Sequence, residues 1–405
     1  MTCLSRQRRL QFVTFLGSLA TVVIERGAYF YLEYHFGFGR ADNLWVGVGF
    51  GITYICGALL SHRICLCLGE KRVLMLALLG EVVAYLAMGL LGRATELVGV
   101  MIVSGFFYGM KWPVVESYVS AGLTPIAVSR AVGRFNISWA VAVPMALVVC
   151  GPLIELWPVG LFAIPLCLTV VSFWLIFPLE ERPVHLPEDH PERLSPRNLE
   201  CYRAQLVSSR WTMLSSYSLL FLMAPLMPQL FKDLGYTPMV ATALAGLLDV
   251  VRCLVFVVFE RYGGWHGRAW YLVACVFGLV VGFVLILSAG HVAGVLLGEV
   301  VFGLATGVSY YAALYYAMVV RNASVGAGGA HEGLIGMGFA IGPITGLVGL
   351  GLAQVMSPLA GLLAGASPLV IICGVGGLWP LRRAFAPGDV PVKAEAAVSS
   401  RPPEG

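Results

Sequence analysis

Long apolar runs alternate along the chain with short polar joints, and most of the charge sits in the joints. Twelve runs approach the ~20 mostly apolar residues that carry a helix across a bilayer: 10–32, 43–62, 73–92, 97–119, 135–154, 159–178, 212–231, 239–259, 269–289, 293–318, 333–356 and 362–381. The pattern predicts an all-α integral membrane protein with twelve transmembrane helices. The first run follows Arg6, Arg8 and Arg9, as a secretory signal would. But Glu25 and Arg26 come next without a small-residue cleavage site, and the run continues through Tyr31. It is therefore an uncleaved first span.

One internal joint is long. Residues 179–211 contain EERPVHLPEDHPERLSPRN, rich in proline and charge, and predict a linker rather than a packed domain. It divides the chain into six-helix bundles at 1–178 and 212–383, with a disordered tail over 384–405. The two halves repeat. A shift of 198 residues carries Gly37, Gly69, Gly80, Gly92, Gly105, Gly109 and Gly151 onto Gly235, Gly267, Gly278, Gly290, Gly303, Gly307 and Gly349, and Arg63 onto Arg261. Seven of the 19 glycines from Gly17 to Gly160 meet another glycine, where a frequency of 48 in 405 gives about two by chance. Two parallel repeats of this kind are a transporter architecture, with the substrate held between them.

Composition and charge sharpen this. The chain is 59% hydrophobic and 12% charged, with a mean hydropathy of +0.84. Soluble domains run near ~45–50% and ~25%, so a single soluble core is excluded. With both termini cytoplasmic, 20 Lys and Arg fall in cytoplasmic segments and only Arg40, Arg93 and Lys232 in external loops. That is a strong positive-inside bias. The net charge of +4 is thus sorted by membrane side and predicts no nucleic-acid partner. Ten cysteines lie mostly in apolar runs without a CxxC pair, as small packing residues do. No GxxxxGK[ST] motif is present, so ATP-driven transport is not expected.

The twelve-span, two-repeat plan resembles the major facilitator superfamily over residues 5–385. The family's loop pattern, roughly G-x-L-x-D-R-x-G-R-R, has counterparts after the second and eighth spans. The first, GALLSHRICLCLGEKRVL, keeps Gly57, Leu59, Arg63, Gly69, Lys71 and Arg72 but has Ser61 in place of the acid and a longer spacer. The second, FERYGGWHGRAWYL, keeps Glu260, Arg261, Gly267 and Arg268. The resemblance implies that these loops form a conformational latch of salt bridges. It also implies that spans 1, 4, 7 and 10 line a central cavity, flanked by 2, 5, 8 and 11, with 3, 6, 9 and 12 outside.

Charges inside spans are costly, at ~2.5–3.5 kcal/mol on insertion scales, and so mark candidate sites. Glu25 and Arg26 point ~100° apart, so one is expected to face the cavity while the other pairs with a neighbouring helix. Lys111 and Glu116 lack partners at i+3 or i+4, which points to the cavity; Pro113 between them is expected to interrupt the helix. Asp249 and Arg252 suit either a local neutralising pair or a substrate or proton role. Glu299, in the outer third of span 10, is either solvated or functional. Glu81, on a peripheral span, suggests a seam between helices. Tyr311 and Tyr315 share a face of span 10 and suit either recognition of a polar organic solute or an interfacial belt. Pro225 and Pro228 predict a broken outer end of span 7.

Span 11 opens with ASVGAGGAHEGLIGMGFAIGPITG. Its glycines form a close-packing surface. Gly342 and Pro343 resemble part of the family's antiporter motif, which belongs in span 5 and is missing there, so drug antiport is not implied. His331 and Glu332 are not a zinc motif, since no second histidine follows at the required spacing. They are candidates for gating, and no metal or cofactor is predicted.

The function expected is secondary active transport of a small organic solute by rocker-switch alternating access, coupled to protons. The protein is expected to be a monomer spanning the plasma (inner) membrane many times, in contact with lipid. The alternative is a non-transporting sensor or a lipid-modifying membrane enzyme. Scattered histidines (35, 62, 185, 190, 266, 291 and 331) disfavour an enzyme, and the shortness of the linker and tail disfavours a sensor.

Overall fold

A computed structural model describes residues 5–123, 125–184, 196–321 and 325–383. Among these, all regular structure is helical. Span 1 consists of Arg6–Glu25 and Gly27–Phe36, span 2 is Arg40–Leu68, span 3 Glu70–Leu90, span 4 Ala94–Ser120, span 5 Pro125–Leu156 and span 6 Gly160–Ile176. In the second half, span 7 is Pro196–Met223, a 3-10 turn at Ala224–Leu226 and Met227–Asp233; span 8 is Pro238–Leu244 and Leu247–Arg261. Span 9 is Trp270–Ser288, span 10 Val292–Arg321, span 11 Val325–Leu352 and span 12 Pro358–Leu378. Eleven are long and apolar enough to cross a membrane, and the 17-residue span 6 completes the twelve.

Three local features depart from the sequence reading. The helix of span 7 starts at Pro196, inside the segment assigned to the linker. Linker residues 185–195 and the tail 384–405 lie outside the described residues. Pro113 sits inside an unbroken helix, because its neighbours hold the backbone in register where its own N–H is missing. Span 8 breaks at Ala245 and Gly246, an interruption no proline marks. The expected break at Pro225 is present.

Packing repeats with the sequence. In the first half span 2 lies on span 4, span 1 on spans 5 and 6, and span 3 on spans 4 and 6. The second half pairs the equivalent helices: 8 on 10, 7 on 11 and 12, and 9 on 10 and 12. Helices in lipid gain little from the hydrophobic effect and associate through close backbone approach. Gly105 supplies it in span 4, where a Cβ would lie 2.8 Å from the Phe50 carbonyl oxygen. Gly303 does the same in span 10, 2.6 Å from the Leu248 oxygen. Phe50 and Leu248 are themselves 198 apart. The loop glycines also match in conformation: φ is 85° at Gly69 and 73° at Gly267, where a side chain would be strained. Gly151 and Gly349 match only in sequence, since Gly151 abuts Met239 of the other half and Gly349 abuts Leu362 of its own.

The halves meet along spans 2 and 11, along 5 and 8, and where span 11 crosses span 4. Large apolar side chains such as Trp45, Leu66, Phe277 and Ile371 are exposed on the bundle, as a lipid-facing surface requires.

Candidate functional site

The seam between the halves holds a partly open cavity of about 110 Å³. Its wall comes from spans 1, 2, 4 and 5 of one half and 7, 8, 10 and 11 of the other. None of its lining residues belongs to spans 3, 6, 9 or 12. Ser18, Thr21, Glu25 and Arg26 project from span 1, Tyr54 from span 2, Trp112 from span 4, and Phe135 and Trp139 from span 5. Facing them are Tyr217 and Phe221, Arg252, Tyr310, and Glu332, Ile335 and Phe339. Trp139 is the hub of the aromatic part: its ring lies edge-on to Tyr310 at 4.8 Å and under the Arg252 guanidinium at 4.7 Å. Phe221 and Phe339 stack at 3.5 Å.

At mid-depth the charges form one cluster. Asp249 forms an ion pair with Arg252, one turn on, at 2.6 Å, and accepts a hydrogen bond from Arg26 across the seam at 3.5 Å. So the local pair and the inter-helix role both occur, on the same carboxylate. Glu25 and Arg26 both reach the cavity wall, against the expectation that only one would. A 100° separation at the helix surface is bridged by the long arginine stem. Glu299 is buried, not solvated, and is an electrostatic neighbour of Asp249 and Arg26. The Leu248 backbone amide lies beside it. The break in span 8 explains this contact. It starts a new helix at Leu247, whose first N–H groups have no carbonyl four residues back and attract carboxylates.

Lys111 is not on the cavity wall. Its ammonium is buried within the first half, 2.7 Å from Glu81 of span 3, and donates to Thr21 at 3.1 Å. Its partner is on another helix, so it has none at i+3 or i+4. Glu81 thus occupies the inter-helix seam its position suggested. Glu116 points the other way, to the second half, where it meets His331 and Glu332 of span 11. The Tyr54 hydroxyl donates to Glu332.

Tyr311 and Tyr315 also lie off the wall. Tyr311 packs on Phe259 and Trp265, and Tyr315 stacks on His266 at 4.4 Å, at the end of the bundle that carries most of the arginines. Burial pushes the pKa of that His266 ring, in the loop after span 8, down to about 4. Tyr310, one residue back, faces the cavity instead. The sequence reading also missed Tyr54, Trp139 and Tyr217.

Both signature loops lie at this basic end. Lys71 and Arg72 contact Glu181 at 3.6 and 3.7 Å, which ties the first loop to the segment after span 6 of the same half. Arg63, Arg261 and Arg268 are exposed and form no ion pair among the described residues. Glu260 reaches the other half, where a Cβ on Gly133 of span 5 would lie 2.5 Å from its Cγ. At the opposite end the halves are joined by Arg40–Asp233 at 2.6 Å and Lys232–Glu33 at 2.5 Å. In span 11 a Cβ at Gly342 would lie 2.1 Å from the Ser218 oxygen, and the Pro343 ring lies 2.8 Å from where Gly47 would carry its Cβ. These two residues thus seat span 11 on spans 7 and 2.

Comparison with known proteins agrees with this architecture. The human organic anion transporter MFSD10 (TETRAN) is similar in structure, with a TM-score of 0.66, 15% identity, and coverage of 92% of this chain and 100% of that one. A mutant of the nucleoside transporter NupG has a TM-score of 0.67 and 12% identity, with 94% and 100% covered. No curated protein sequence matches the chain. Residues 11–347 match the sequence model of the Major Facilitator Superfamily. With twelve apolar helices in two matched halves around an inter-half cavity, the chain belongs to the Major Facilitator Superfamily and is a multi-pass membrane transporter.

Proposed function

We propose that the protein is a secondary active transporter that moves a small organic solute by rocker-switch alternating access, coupled to protons. The observation that carries this reading is the cavity between the halves, whose wall combines two arginines with a shell of aromatic rings. Arg26 and Arg252 face the cavity while their shared counter-ion, Asp249, is not among the lining residues. A solute with an acidic group and a planar body fits that wall: the acid replaces Asp249 at Arg26 and the body lies among Trp139, Tyr217, Phe221 and Tyr310.

Replacing Asp249 at Arg26 loosens the tie across the seam, which links binding to the movement of the halves. Glu25 is the proton carrier in this scheme, since it faces the cavity and forms no ion pair among the described residues. A proton on Glu25 raises the net charge of the wall and favours the anion; release on the other side weakens it. The positive-inside bias puts both termini in the cytoplasm, with the protein a monomer in the plasma (inner) membrane.

The test is uptake into proteoliposomes, after a thermal-shift screen against sugars, nucleosides, carboxylates, amino acids and lipophilic cations. A carboxylate that stabilises the protein and accumulates with an imposed pH gradient is the expected result. Uptake indifferent to that gradient removes the coupling, and stabilisation by neutral solutes alone removes the anion.

A further inference from the structure

Glu116, His331 and Glu332 come from opposite halves, and although Glu332 also reaches the cavity wall, the scheme above uses none of the three. One ligand atom from each lies within 4.8 Å of the other two, and all three residues are buried. Burying such groups is expensive unless their polar atoms are satisfied. Yet neither ring nitrogen of His331 has a hydrogen-bond partner. The Glu116 oxygens meet the Glu332 carboxyl, which donates only when it carries a proton, and no other donor. Gly328 makes room for them, since a Cβ there would lie 2.6 Å from Glu116 Oε2.

We propose that Glu116, His331 and Glu332 form a binding site for a divalent transition-metal ion of the Zn²⁺ class, which ties span 4 to span 11 and holds the halves together. An imidazole and two carboxylates are a suitable set of three for such an ion, with a fourth position left for water. Zinc bonds of ~2.0–2.1 Å place tetrahedral ligand atoms roughly 3.3 Å apart, so the three side chains close in by small rotations. Tyr54 already donates to Glu332 and acts as the outer-shell group that orients it. The spacing rule missed the site because its third ligand lies more than 200 positions away in sequence. An ion that needs both spans for its ligands binds the conformation described and disfavours any state in which spans 4 and 11 part. The ion therefore acts as a brake on the cycle.

The purified full-length protein is titrated with Zn²⁺, and separately with Mg²⁺, by calorimetry and thermal shift. One Zn²⁺ per chain should bind and raise the unfolding midpoint, with no shift from Mg²⁺ at the same concentration. Zn²⁺ affinity should fall at least tenfold in both His331→Ala and Glu116→Gln. Zn²⁺ binding undiminished in both variants places the ion elsewhere and overturns the proposal, as does no binding to the wild type. X-ray absorption of the Zn²⁺-loaded wild type does not depend on variants that fold. A shell of nitrogen and oxygen with one imidazole supports the site, and sulfur ligands or a second imidazole refute it. Distance measurements between spin labels on spans 4 and 11 should narrow with Zn²⁺; an unchanged distribution overturns the brake. Because these readouts need no solute, failure here leaves the transport reading standing, and failed uptake leaves the site standing.

Discussion

Replacing Lys111 distinguishes a core pair from a cavity residue. The pair with Glu81 is 1% and 0% exposed, with 2.7 Å between charged atoms. At an effective dielectric of about 20, the attraction is about 6 kcal/mol, and the bond to Thr21 adds about 1 kcal/mol. Desolvating two ions costs several kcal/mol each, so the pair is close to break-even against apolar side chains of similar size. Losing one member is different, because it strands a buried charge. Lys111→Met and Glu81→Met should each destabilise by about 3–5 kcal/mol, and the double variant should return to within about 1 kcal/mol of wild type or better. The assay is a double-mutant cycle on unfolding in detergent, with proteoliposome uptake measured on each variant that folds. The expected cycle gives a coupling energy of several kcal/mol and restored uptake in the double variant. If Lys111→Met folds like wild type but abolishes uptake, or if the double variant is as unstable as the two singles summed, Lys111 is not a structural pair.

Three other perturbations test separate elements. Asp249→Asn leaves Arg26 and Arg252 without their shared carboxylate and should abolish accumulation, whereas Arg40→Ala, which breaks an exposed pair, should change stability by less than about 1 kcal/mol; the comparison is uptake and unfolding on the same preparations. His266 has a folded pKa of about 4 against an ordinary value of 6.5. The unfolded chain therefore binds its proton first, and stability that is complete above pH 6.5 is lost as pH falls towards 4, on the order of 2–3 kcal/mol. Thermal melts over that range should show the loss in wild type and a flatter profile in His266→Phe, and parallel profiles contradict the assignment. Gly109→Ala places a Cβ 2.1 Å from the Tyr54 backbone oxygen, Gly307→Ala one 2.8 Å from the Val255 side chain, and Gly92→Ala one in open space. Folded yield should fall most for the first, less for the second and not at all for the third, as gel filtration will show.

Hydropathy made the twelve spans legible because apolar length is a one-dimensional quantity. The cavity helices followed from the family resemblance and the repeat. Individual side chains were harder to place. Tyr311 suited either solute recognition or an interfacial belt, and it is Tyr310 that stands on the wall, a single residue that turns a side chain by 100°. The repeat itself marks part of the wall. The 198-residue shift that relates Gly105 to Gly303 also relates Trp112 to Tyr310 and Tyr54 to Arg252, and all four line the cavity. A shift of 199 takes Ser18, Thr21 and Val22 to Tyr217, Leu220 and Phe221, again all on the wall. Lys111 and Glu116 were read together because both lacked local partners. Their actual partners, Glu81 and the His331–Glu332 pair, are brought in by tertiary packing that helix spacing does not encode.

The mid-depth cluster has an electrical consequence. Glu25 and Arg26 travel with one half, and Asp249 and Arg252 with the other. In the proposed rocker-switch cycle, each of these pairs would leave with its charges balanced while Glu25 is ionised. Moving one unit charge through the full membrane field is worth about 2.3 kcal/mol per 100 mV. A carrier that moves balanced pairs gives the voltage little to act on during its empty return. Glu299 stands outside this balance on the second half. In that proposed cycle, whether its carboxyl holds a proton would set how strongly a membrane potential biases the direction in which the unloaded protein faces.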